Sequence, residues 1–170
     1  MAKVSIIMGI FNCEKTVALT IQSIQKQTFQ DWELFMCDDG STDQTFQIAR
    51  KFSDRDGRIH LLRNKENMGL AKTLNTCLEY CTGEFIMRHD GDDLMLEKRI
   101  EKQVEYMLKH PCDACGSTAY LIDDKGVWGL RKAEPFPKKS IMAADSPFIH
   151  PTVIMKAESL RKVGGYSDNK

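Results

Sequence analysis

The sequence predicts an α/β domain built on a doubly wound, mostly parallel sheet, with a small antiparallel hairpin part toward the C-terminus. Three observations carry this. Apolar runs of strand length alternate with amphipathic helical segments through residue 110, the pattern of stacked β-α units. Beyond it, two strand-like segments flank Asp123-Asp124-Lys125-Gly126, a hairpin signal. The two densest acidic clusters, at residues 38–43 and 90–93, each follow a strand-like run directly, where sheets of this type hold their ligands.

Lys3 to Gly9 is nearly continuous in apolar residues, as a strand buried on both faces must be. Asn12 is placed to cap the next segment, which begins at Cys13 and repeats Val17, Ile21, Ile24 and Thr28 on one helical face. Trp32 to Cys37 reads as the second strand. Ser41 with Gln44 three residues on suggests a capping box for a helix carrying Phe46, Ile48, Ala49 and Phe52. Ile59 and Leu61 alternate with polar neighbours in a third strand from Arg58 to Arg63. A turn-rich loop, residues 64–69, leads to a helix from Leu70 to Cys81, with Gly83 suited to a left-handed C-cap.

Glu84 to His89 is the fourth strand. The helix after it, Leu96 to His110, sets Ile100, Val104, Met107 and Leu108 on one side and stops before Pro111. The hairpin strands are Cys115–Ile122 and Val127–Arg131. A short helix near Lys138–Ala144, a strand over Thr152–Met155 and a final helix before Gly164-Gly165-Tyr166 complete the reading. Residues 1–110 form the first half and 111–170 begin a second half of the same domain.

The chain has 170 residues and a formal net charge of zero, with cations and anions interleaved, which argues against a nucleic-acid surface. Its longest apolar run, Val4 to Phe11, is far short of the ~20 residues of a membrane span, and the N-terminus lacks a secretion-signal pattern. Six cysteines include a single C-x-x-C, Cys112 to Cys115. One such pair without a second is a weak metal signal, so free thiols in a reducing cytosol are the expectation.

Asp90, Asp92 and Asp93 would raise one another's pKa values unless a cation shares the site. Oxygen ligands favour Mg²⁺ or Mn²⁺, held by one or two carboxylates and a substrate's phosphates. Asp38 and Asp39 suit recognition of a base or ribose, against a plainer reading as turn and N-cap chemistry by Asp39, Ser41 and Asp43. Neither G-x-G-x-x-G, a P-loop nor G-x-S-x-G occurs, so phosphates would be met by a metal and not by a glycine-rich cradle.

Residues 4–12, Gln27-Thr28-Phe29, Asp38 to Asp43, Asn67 to Asn75, Gly83-Glu84-Phe85-Ile86 and Arg88 to Asp93 resemble the family 2 glycosyltransferases of bacterial polysaccharide synthesis. The resemblance runs through Gly164-Gly165-Tyr166 and implies the Rossmann-like GT-A fold. It implies a nucleotide-binding set of Gly9, Phe11, Asp38, Asp39, Lys72 and Asp90, with Phe11 stacking on uracil, Ile10 in the adjoining wall and Asp39 accepting from the base. Asp90 and Asp92 correspond to the metal-binding D-x-D, Asp92 as direct ligand. Lys72 stands as a phosphate contact against the plain reading of an exposed helix lysine, and His150 as an acceptor-side residue against a structural one.

The implied activity is metal-dependent, inverting transfer from a nucleotide diphosphate sugar, UDP-linked, to a hydroxyl of a glycan or lipid-linked acceptor. It implies a cytoplasmic setting, peripheral to the inner membrane face. The family's general base lies a short way beyond Gly-Gly-Tyr, hence beyond Lys170, with Asp168 too close to serve; the chain reads as the donor-binding part of a longer enzyme. Two alternatives are a nucleotide-sugar-binding module without turnover and a sugar nucleotidylyltransferase. The latter needs a basic glycine-rich loop, which Asn12-Cys13-Glu14-Lys15 does not supply.

Overall fold

The computed structural model describes residues 3–133 and 148–167. Its strands are β1 (Val4–Ile10), β2 (Trp32–Asp38), β3 (Ile59–Arg63), β4 (Phe85–Arg88), β5 (Ala114–Cys115), β6 (Ala119–Asp123), β7 (Gly126–Arg131) and β8 (Ile154–Lys156). The helices are α1 (Val17–Gln25), α2 (Thr45–Ser53), α3 (Leu70–Leu78), α4 (Arg99–Lys109) and α5 (Ala157–Lys162), with a 3₁₀ turn at His150–Thr152. Six strands form one sheet in the order β3-β2-β1-β4-β8-β5. β1 runs parallel to β2 and β4, and β2 parallel to β3, while β8 is antiparallel to β4 and β5.

Alternation along β1 divides the core. Val4, Ile6, Met8 and Ile10 pack with Val17, Ile21 and Ile24 of α1 and with Ile100, Val104 and Met107 of α4. Ile7 faces the other way, onto Leu74, Cys77 and Leu78 of α3 and Leu160 of α5. Each buried Val, Leu, Ile or Met side chain among them contributes about 1.5–3 kcal/mol relative to exposure when burial is complete. β1 is thereby fixed from both sides, and its carboxyl end stays open between the loops after β2 and β4.

Several local expectations are corrected by tertiary contacts. α1 begins at Val17 and not Cys13, and Thr28 lies beyond its end, exposed and bonded to Glu101. Asn12 caps nothing: it takes a positive φ of 48°, tolerable for Asn, and its Oδ1 accepts from Thr42 N–H at 2.9 Å. Ser41 makes no capping box with Gln44, because its hydroxyl accepts from Asn12 N–H and α2 starts only at Thr45. Gly83 is absent from the left-handed region; a Cβ there would stand 2.6 Å from Ser5 N, so close approach to β1 is what requires glycine.

α4 starts at Arg99, Leu108 is 61% exposed, and Gln103 takes a buried place on the inner face. The strand expected over Cys115–Ile122 is two strands, one in the main sheet and one in the β6–β7 hairpin, which turns as expected at Asp124-Lys125. The last strand begins at Ile154, after the 3₁₀ turn. The helix expected near Lys138–Ala144 lies outside the described residues. All six cysteines are free; Cys37, Cys77 and Cys81 are buried and the other three half-buried.

Candidate active site

Parallel β1, β2 and β4 carry their loops to one edge of the sheet. A cavity of about 240 Å³ there is lined by Gly9, Ile10, Phe11, Asp39, Asn67, Gly69, Leu70 and Thr73. Beside it a second, of about 230 Å³, is lined by Cys13, Asp90, Gly91 and Asp92, and again by Gly9, Phe11 and Leu70. The shared residues make the two cavities parts of one crevice. Phe11, 46% exposed, stands at the junction. Gly9 keeps it open: a Cβ there would press on Leu70 and Thr73.

Asp39 is buried, and three donors converge on it. Oδ1 accepts from Asn64 Nδ2 (2.7 Å) and Met68 N–H (2.9 Å), and Oδ2 from Gly69 N–H (3.0 Å). Burial works to raise its pKa, but these bonds and the nearby Thr73 hydroxyl outweigh burial and hold the carboxyl below its ordinary range. Asn64 organises the group, since its amide also donates to Thr73 Oγ1 and accepts from the Cys37 thiol. The 64–69 loop is thus wrapped around one carboxylate. Oδ2, with one donor, keeps room for another.

Asp38 points elsewhere. It is fully buried, outside the residues lining either cavity, and bonded through Oδ2 to Arg63 Nε (3.1 Å) and Ser41 N–H (3.3 Å). Arg63 stacks on Phe46, its guanidinium 4.4 Å from the ring centre. Lys72 is exposed on α3 and lines neither cavity, and His150 is exposed at the start of the 3₁₀ turn.

At the other end, Asp90 forms a two-point pair with Arg88, Nε to Oδ1 at 3.2 Å and Nη2 to Oδ2 at 3.3 Å. Asp92 is exposed. Between them Gly91 lies against β1, and its carbonyl accepts from Thr16 Oγ1 (3.1 Å) and Thr20 Oγ1 (3.0 Å). That anchors the acidic loop to α1. Burial, then the charges of Asp90 and Asp92, push the half-buried Asp93 carboxyl up to about 6. Buried His89 is held neutral down to about 3 by burial and by neighbouring Arg99.

Among the described residues no three His, Cys, Asp or Glu side chains gather as a preformed metal cage. Two carboxylates bracketing Gly91 and lining one cavity fit a hard cation whose remaining ligands are water and phosphate oxygens.

The crevice thus brings together Gly9, Phe11, Asp39, Asp90 and Asp92, while Asp38, Lys72 and His150 stand outside its lining. Leu70, Thr73, Asn67 and Cys13 line it too, although their residue types carry no chemical signal of it, and Asn64 supports it from below. In the sequence, that loop is marked by the turn composition around Asn64 and Asn67 and by the family-like stretch that begins at Asn67.

The chain is 45% identical over 166 residues to the putative glycosyltransferase EpsE of Bacillus subtilis, covering 96% of this chain and 60% of that protein. Over 126 residues it is 39% identical to the Escherichia coli UDP-Glc:alpha-D-GlcNAc-diphosphoundecaprenol beta-1,3-glucosyltransferase WfgD, covering 74% of this chain and 49% of that one. It therefore spans about half to three fifths of these relatives' lengths. The S. aureus TarS 1-349 structure in complex with UDP-GlcNAc aligns with a TM-score of 0.79 at 23% identity, over 96% of this chain and 48% of that one, a likeness of fold alone. The fold is of the GT-A type. The description Glycosyl transferase family 2 matches residues 5–163, and the chain belongs to that family.

Proposed function

We propose that this chain is the donor-binding part of a metal-dependent, inverting glycosyltransferase. It takes a sugar from a nucleotide diphosphate sugar, UDP-linked, and delivers it to a hydroxyl of a glycan or lipid-linked acceptor in cell-surface polysaccharide synthesis. One observation carries the reading: a single crevice at the carboxyl edge of the sheet is lined by Asp39 at one end, by Phe11 at the junction of its two parts and by Asp90 and Asp92 at the other end. An elongated ligand with an aromatic base and a diphosphate matches that order of groups.

Phe11 offers a ring face to the base, and Asp39 Oδ2 accepts from a base N–H. Asn64, Met68 and Gly69 hold that carboxylate in place before the donor arrives. Asp92 and Asp90 would hold Mg²⁺ or Mn²⁺ together with the diphosphate, and Arg88 fixes the orientation of Asp90. When bound, such an ion neutralises the charge that accumulates on the departing diphosphate. Lys72 is a phosphate contact and His150 an acceptor-side residue in this reading, both reached from outside the crevice lining.

A UDP-Glc donor and a lipid-diphosphate acceptor in the name of WfgD, and UDP-GlcNAc in the TarS complex, support the donor and acceptor classes. Among the described residues no helix is long and apolar enough to cross a membrane; in this reading the protein works in the cytoplasm, peripheral to the inner membrane face.

Calorimetric titration of the chain with UDP, with and without Mn²⁺, tests this. Binding that requires the metal is the expected result. Equal binding of UDP in the absence of metal would remove the role given to Asp90 and Asp92.

A further inference from the structure

The acidic loop at 89–93 and the turn at 150–152 are distant in sequence; besides the Arg88 N–H bond to the Val153 carbonyl (2.9 Å), a relay of two side chains, Arg99 and Gln103, joins them. Arg99, the first residue of α4, donates through Nη2 to the Arg88 carbonyl at 3.1 Å and sets Nη1 3.1 Å from His89 Nδ1. Its Nε donates to Gln103 Oε1 at 2.9 Å. Buried Gln103, one turn further along α4, carries the connection onward, donating through Nε2 to the Thr152 carbonyl at 2.8 Å. Thr152 Oγ1 accepts from Ser117 N–H and donates to the Ile149 carbonyl, fixing the turn on which His150 stands.

The residue types suit the task. A guanidinium presents its donors in a rigid planar fork, so three directed contacts can be made at once; a lysine ammonium at the same place cannot reproduce their angles. His89 Nδ1 faces a permanent donor and therefore accepts, which puts the ring proton on Nε2 and leaves the buried imidazole neutral. Arg99 lines neither cavity, but its charge faces Asp93 and Asp90.

We propose that Arg99 is a positioning residue: its fork ties the base of the Asp90–Asp92 loop to the turn carrying His150, so that the metal-side carboxylates and the acceptor-side turn hold one mutual geometry. The functional half of this rests on the donor-site reading above. The structural half does not.

Two variants separate the links. Arg99→Lys keeps the charge and loses the fork, and Gln103→Met keeps the size, cuts the bonds to Thr152 and to Arg99 Nε, and leaves Arg99 its contacts with His89 and the Arg88 carbonyl. In hydrogen exchange read by mass spectrometry on the whole chain, Arg99→Lys is expected to speed exchange in both 88–93 and 150–153, and Gln103→Met in 150–153 alone, with β1 protected in both. Wild-type exchange in either segment of Arg99→Lys, or loosening of β1 to the same degree, would overturn the coupling. If Arg99→Lys does not fold, Gln103→Met decides: unchanged exchange at 150–153 overturns the proposal. In UDP titrations at a series of Mn²⁺ concentrations, Arg99→Lys should raise the apparent Kd for the ion by about 10-fold. An unshifted Mn²⁺ Kd would reduce Arg99 to a structural role. Should the wild-type chain show no metal-dependent UDP binding, the donor-site reading fails and the exchange result alone judges the coupling.

Discussion

Gly91 lies so close to Ile10 that a Cβ on it would stand 2.9 Å from Ile10 Cγ2 and 3.1 Å from Cys13 Sγ. The glycine between the two aspartates is therefore a packing requirement that sets where their carboxylates project. Gly91→Ala must push the acidic loop off β1 and strain its carbonyl's bonds to Thr16 and Thr20. We expect a loss of about 1–3 kcal/mol in urea unfolding, the usual cost of overpacking, and weaker Mn²⁺-dependent UDP binding. Wild-type stability would show that the loop has room to spare.

The parallel core was legible because β1 and β2 are buried on both faces and so read as nearly continuous apolar runs. The carboxyl ends of those strands, and hence the meeting of Asp39 with Asp90 and Asp92 in one crevice, came from topology alone. What stayed hidden depends on contacts between distant residues. Ser41 and Asn12 have the composition of caps, yet each spends its side chain on the other's loop. Gly83 looks like a helix terminator, and only its neighbour Ser5 reveals a close approach. Asp38 and Asp39 are indistinguishable by type, but strand alternation turns one toward Arg63 and the other toward the crevice. Insertion of β8 between β4 and β5 had no local signal at all.

Asp92 is exposed, and its carboxylate makes no bond on which the fold depends among those found in the described residues. Asp92→Ala should thus leave thermal unfolding within about 0.5 kcal/mol of wild type while abolishing the Mn²⁺-dependent part of UDP binding. Unchanged affinity in the presence of Mn²⁺ would remove the central functional claim. Asp90→Ala differs in kind, because it also strips the buried Arg88 of its carboxylate partner, so a measurable loss of stability should accompany the loss of binding.

Asp39 joins structure and recognition in one group. Asp39→Ala deprives Asn64 Nδ2 and the Met68 and Gly69 N–H groups of their acceptor, and we expect a cost of about 2 kcal/mol or more. Asp39→Asn keeps an acceptor but presents N–H groups where acceptors are needed. It should retain more stability than the alanine variant and still lose the preference for UDP over other nucleoside diphosphates. Competition calorimetry checks this; a variant that still prefers UDP would mean the base is read elsewhere.

Asp56, remote from the crevice, offers a pH test of the fold alone. Its carboxylate accepts from Arg58 Nε (3.0 Å), Nη2 (2.9 Å) and N–H (3.1 Å) and from Gln25 Nε2 (3.0 Å). The Arg58 side chain is the main reason its pKa falls well below the ordinary range, with burial opposing it. A depressed folded-state pKa means that the unfolded chain, protonating near pH ~4, takes up the proton first as the solution is acidified. The stabilisation is accordingly complete above about pH 4–5 and lost progressively below it. Asp56→Asn should be less stable than wild type by roughly 1–2 kcal/mol near neutrality, with the gap narrowing as pH falls toward about 3. Arg58 lies over the buried Trp32 ring at 3.9 Å, so tryptophan fluorescence reports the same unfolding. A gap that does not change with pH would mean that the Arg58 contacts do not favour the ionised carboxylate, and UDP binding at neutral pH should be untouched in either case.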